Sequence, residues 1–119
     1  MPPLLSRFFG NTSEPVWIDP ADLAAGLDEA SPPLLVDVRR PDEFTGPLGH
    51  IEGALNLPLD QFSDHIADLS GHQRPVILIC HTDRRSAAAA AQLRAAGVRE
   101  VAVLRGGMVA WRQAGWSGK

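Results

Sequence analysis

The sequence predicts an α/β sandwich in which a parallel sheet is covered by helices on both faces. Three observations carry this. Strand-like and helix-like segments alternate along the chain, the strand-like ones are continuously apolar, and 119 residues suit one domain with a single core. An antiparallel sheet with one wet face would show apolar and polar residues alternating. Uninterrupted apolar strands separated by helical stretches are the mark of strands buried on both sides.

Trp17-Ile18 opens the series as a short strand, and Asp19-Pro20 supplies a cap and first turn for a helix from residue 21 to about 26. Pro32-Pro33 ends the next loop. Residues 34–38, Leu-Leu-Val-Asp-Val, form an apolar strand with a polar exit; 41–44 suit one helical turn, and 46–49 a loop. A shorter strand over 54–57 stops at Pro58. Asp60 opens a helix to about residue 69, with Gly71 as its stop. Residues 75–79 form the most hydrophobic strand, and 85–96 the clearest helix, closed by Gly97. The last strand covers 101–104, and Gly106-Gly107 lead into a helix over about 108–114. The alanine run 87–91 needs no functional explanation, because alanine favours helix and allows close approach to a sheet. There is no internal repeat.

Composition narrows the function classes. A hydrophobic fraction of 45% and a charged fraction of 21% are those of an ordinary globular protein. Residues 1–15 are expected to form a mobile N-terminal extension and 16–119 one domain. No apolar run approaches the ~20 residues of a membrane span, and the start lacks the pattern of a signal peptide. One cysteine cannot form an intramolecular disulfide, in keeping with a reducing compartment. A cytoplasmic location is therefore expected. The net charge of -3 hides a gradient: residues 1–70 carry 12 acidic and 3 basic side chains, residues 71–119 carry 2 and 8. The cationic half holds the cysteine and would attract an anion, unless folding intermixes the halves. No basic tract with interleaved aromatics suggests nucleic acid, and no spacing joins the histidines into a metal site.

Ligands of parallel α/β sheets sit beyond the carboxyl ends of the strands, and Cys80 stands there, between the strand 75–79 and the helix 85–96. A helix N-terminus presents unpaired amides and partial positive charge, which favour a thiolate or a bound oxyanion. Arg84 and Arg85 add cationic charge. The competing reading is a small buried hydrophobe, since free cysteines are among the most buried residues.

Four stretches together resemble the rhodanese family of sulfurtransferases. They are Leu35-Val36-Asp37-Val38-Arg39 followed by Pro41-Asp42-Glu43-Phe44; Gly49-His50-Ile51-Glu52-Gly53-Ala54-Leu55-Asn56-Leu57-Pro58; Cys80-His81-Thr82-Asp83-Arg84-Arg85-Ser86-Ala87; and Leu104-Arg105-Gly106-Gly107-Met108-Val109-Ala110-Trp111. The similarity runs over roughly residues 16–116. It implies a three-layer sandwich around a five-stranded parallel sheet, and sulfur transfer in two steps without metal or organic cofactor. Cys80 would take sulfane sulfur from a small anionic donor such as thiosulfate, as a persulfide, and pass it to cyanide, a thiol or a protein acceptor. Amides from His81, Thr82, Asp83, Arg84, Arg85 and Ser86 would wrap the outer sulfur. The related cysteine phosphatases use Cys-x5-Arg. Here the arginines are fourth and fifth after Cys80 and the sixth residue is Ser86, so the loop reads as the shorter, sulfur-sized one.

The loop departs from the family at Asp83, where glycine is frequent. Aspartate is one of the few other residues that tolerate positive φ, so the loop is expected to keep its shape. Its carboxylate either faces the pocket and repels an anionic donor, or points outward or caps the helix. Arg39 either binds the donor or makes a salt bridge to Glu43 or a neighbour. Asp37 is expected to order the loops, Arg85 to line the pocket or pair bidentately with Asp37 or Glu43, and His50 to stabilise its own loop. His81 is expected on the exposed part of the loop, where it either contacts the donor or faces solvent. Beside an enzyme stands the alternative of a sulfur carrier or interaction module, loaded and unloaded by partner proteins.

Overall fold

The computed structural model describes residues 16–71 and 74–115, so the expected extension 1–15 and the last residues 116–119 of the expected domain lie outside the described residues. Five strands, β1 (Val16–Ile18), β2 (Leu34–Asp37), β3 (Leu55–Asn56), β4 (Val76–Ile79) and β5 (Val101–Leu104), form one sheet. Their order is β1-β5-β4-β2-β3 and every pairing is parallel. The α/β sandwich and its five strands are as expected.

The most apolar strand takes the central place. All four residues of β4 are buried, and so are those of β2 and β5 beside it. Side chains alternate across a strand, so each strand feeds two cores. Leu34, Val36, Val38, Val76 and Leu78 face one, together with Phe62, Ala89, Ala90 and Leu93. Leu35, Ile77, Ile79, Ala102 and Leu104 face the other, with Leu23, Ile51, Met108 and Trp111. Cys80 continues the alternation of Val76 and Leu78 and belongs to the first face.

The helices are α1 (Pro20–Leu27), α2 (Pro41–Phe44), α3 (Ile66–Ser70), α4 (Arg84–Ala95) and α5 (Gly107–Gln113). None among the described residues is long and apolar enough to cross a membrane. One expected element divides. In place of a single helix from Asp60, a 3₁₀ segment, Leu59–His65, precedes the short α3. Its start is pinned to the end of β2, where the Leu57 and Leu59 amides donate to Asp37 O and Val38 O. From that fixed point the longer 3₁₀ rise, about 2.0 Å per residue, carries the chain on with Phe62 wholly buried.

Candidate active site

The carboxyl ends of β2, β4 and β5 bring the sequence-derived candidates to one edge. Cys80 follows β4 and exposes only 1% of its surface. Two hydrogen bonds hold its sulfur, the Ser86 amide donating to Sγ at 3.3 Å and the Ser86 hydroxyl lying 3.2 Å away. Asp83 is the N-cap of α4, which makes Ser86 the third helical residue. Its amide is one of the first-turn donors without an intrahelical partner, and the sulfur takes the place a capping oxygen would fill. The hydroxyl also lies 3.2 Å from Asp83 O. It has one hydrogen for two neighbours. Beside a neutral thiol it accepts from S–H and donates to Asp83 O; beside a thiolate it turns to the sulfur.

A second helix holds the loop from the other side. The Met108 amide donates to Cys80 O at 2.9 Å and the Val109 amide to His81 O at 3.1 Å. The approach is so close that a Cβ on Gly107 would collide with the carbonyl oxygens of Thr82 and Cys80. Gly107 also has φ +57°, where other residues are strained. The Asp83 carboxylate joins this contact, its Oδ2 accepting from the Gly106 amide at 3.3 Å. Two expectations change here. Asp83 has φ -151°, so the loop makes no use of a left-handed residue at that position, and its side chain makes no capping bond to α4.

The charged residues separate into two pairs. Arg85 reaches across to Glu43 with both ends of its guanidinium, at 2.6 and 2.9 Å. Hydrogen bonding to Arg85 holds the Glu43 carboxyl down at about 2, against the burial that opposes it. The same bond raises Arg85. Arg39 forms the other pair, with the salt bridge to a neighbour that was one of its two expected roles. It is 1% exposed, its Nε and Nη2 engage Asp37 at 2.8 to 3.2 Å, and its remaining bonds go to Glu43 O and Gly49 O. With these donors committed and its surface almost wholly covered, it ties the Asp37 carboxylate to the backbone at Glu43 and Gly49.

His50 stacks on Phe44, ring centroids 3.7 Å apart, and its Nδ1 lies 2.9 Å from Phe44 O, as suits a residue that steadies its own loop. His81 and Thr82 are exposed on the loop, and Arg84 is exposed at the first position of α4. Sequence reasoning gave no role to Asn56. Its Nδ2 donates to Asp37 O and Arg39 O, fixing the exit of β2. The signal was present: an amide at the end of a very short strand, beside a neighbour whose last carbonyls need donors.

Comparison with known proteins places the chain in a family. The family model described as Rhodanese-like domain matches residues 19–114. An uncharacterized protein of Synechocystis is 42% identical over 69% of this chain, which spans only 44% of that relative's own length. A protein of Allochromatium vinosum named Sulfurtransferase is 35% identical, the match covering 82% of this chain and 89% of the relative. Among solved structures, a Thiosulfate sulfurtransferase from Pseudomonas aeruginosa superimposes with a TM-score of 0.76 at 29% identity, over 87% of this chain and 20% of that one.

Proposed function

The chain belongs to the rhodanese-like domain family, and from that premise we propose that it is a sulfurtransferase working through a persulfide on Cys80, in the cytoplasm. The observation that carries the reading is the seat of the sulfur, with the Ser86 amide and hydroxyl both directed at Sγ. Such a seat stabilises negative charge on the attacking atom.

In the first step the Cys80 thiolate attacks the outer sulfur of a donor such as thiosulfate. The S–S bond of the donor breaks, sulfite leaves with the electron pair, and a cysteine persulfide anion remains. In the second, cyanide or a thiolate attacks the outer persulfide sulfur and the Cys80 thiolate is released. Helix α4 supplies the charge balance, through the first-turn amides of Arg84 and Arg85, which have no intrahelical acceptor. The exposed side chains of His81, Thr82 and Arg84 meet the donor. Arg85, tied to Glu43, acts by holding the start of α4 in register.

A second reading is favoured by one observation. Cys80 is 99% covered, so a carrier that receives sulfur only from a docked protein is compatible with the site. Steady-state kinetics with thiosulfate and cyanide separate the two. Parallel double-reciprocal lines support the enzyme, whereas no turnover with these small molecules, together with loading by a protein persulfide, supports the carrier.

A further inference from the structure

The contact between the active-site loop and the turn entering α5 is carried partly by a side chain. The Cys80 and His81 carbonyls are held by main-chain amides of α5, and Thr82 O packs against Gly107. The next residue is Asp83, whose side chain continues the clamp by accepting from the Gly106 amide, 23 residues away in sequence. Gly106 has φ +76° and is the N-cap of α5, so its amide lies outside the helix ladder. On the other side, Asp83 O receives the Ser86 hydroxyl and the Ala87 amide. One residue therefore links two helices. Its carbonyl receives the first turn of α4, including the hydroxyl beside Sγ, and its carboxylate receives the entry to α5.

We propose that Asp83 is a positioning residue for sulfur transfer, acting as a hydrogen-bond acceptor that fixes the loop between Cys80 and Ser86, and not as a charge that screens donors. The proposal rests on the sulfurtransferase reading. Its physical content is that the Ser86 hydroxyl and amide are held at Sγ by a peptide whose own orientation depends on the Asp83–Gly106 bond. Loss of the acceptor lets that peptide turn, and the reactive geometry is populated less often. The donor's own contacts, on the exposed His81, Thr82 and Arg84, are left in place. The effect therefore falls on the rate of the loaded complex and spares donor affinity.

The test is single-turnover persulfide formation with thiosulfate across a range of concentrations, on the full chain and its Asp83→Asn, Asp83→Ala and Asp83→Glu variants. Asn keeps an acceptor at the same place without the charge; Glu keeps the charge and displaces the acceptor. The proposal expects Ala and Glu to lower the limiting rate by up to about tenfold, the range of one hydrogen bond. Half-saturation stays within about twofold on the same grounds, and Asn restores most of the rate. It is overturned if Asn and Ala move together toward tighter thiosulfate binding, the signature of a repelling charge, or if the Ala and Glu rates equal wild type. Should Ala fail to fold, the comparison of Asn with Glu decides alone. Failure of the wild-type chain to load sulfur from any sulfane donor would instead remove the underlying reading.

Discussion

Ser86 contacts the sulfur of Cys80 twice, through its amide at 3.3 Å and its hydroxyl at 3.2 Å, so the first turn of α4 lies directly against the sulfur. Replacing the hydroxyl while keeping the amide tests how the two share the task. Ser86→Ala is expected to fold, since it removes one buried atom, and to slow iodoacetamide alkylation of Cys80 at pH 7 by about three- to tenfold, the equivalent of one hydrogen bond. An unchanged rate would mean that the amide suffices.

The Glu43–Arg85 pair makes a prediction about acid. Hydrogen bonding to Arg85 holds the Glu43 carboxyl down at about 2, below its ordinary 4.5. A depressed carboxyl stabilises the fold above its unfolded value, and that contribution is lost as pH falls from about 4.5 toward 2. Partial exposure of both partners limits it to about 1 to 3 kcal/mol. Urea unfolding between pH 7 and 2 should show Glu43→Gln less stable at neutral pH, with the difference from wild type closing through that window. A constant difference would contradict the pairing.

Arg39 and Asp37 are both buried, at 1% and 0% exposure. Removing one member leaves the other as an uncompensated charge, which costs about 3 to 5 kcal/mol. Arg39→Ala should therefore lower the urea midpoint severely. Arg39→Lys, which cannot reproduce the forked contact, should fall between. Rapid loading of a folded Arg39→Ala variant with unchanged stability would remove the structural role.

Gly107→Ala should disturb the loop directly, since the added carbon collides with two carbonyls and the backbone is left-handed. A fall in thermal midpoint is expected together with a loss of persulfide formation. Gly97→Ala, at φ +94° with open space around the added carbon, is the control: it strains the backbone far from the loop and should cost stability without a specific loss of rate.

The central strand, the alanine-rich helix and the place of Cys80 between them were legible because each rests on local pattern: an unbroken apolar run, strong helix formers, a glycine stop. The pairing of Arg39 was open to inference too: a salt bridge to a neighbour was among the expectations, and Asp37 stands only two residues before it. The clamp on the loop was not legible. Gly106 and Gly107 read as a turn, and nothing local shows that the turn lies against Thr82 and Asp83, more than 20 residues earlier. The division of the segment after Pro58 escaped for the same reason, its start being fixed by hydrogen bonds to β2.

Whether Cys80 carries the sulfur is decided by intact-mass spectrometry of the purified chain after incubation with thiosulfate. A gain of one sulfur atom is expected, one that cyanide removes and that Cys80→Ser never acquires. No gain with thiosulfate or any other sulfane donor, or an equal gain on Cys80→Ser, would contradict it.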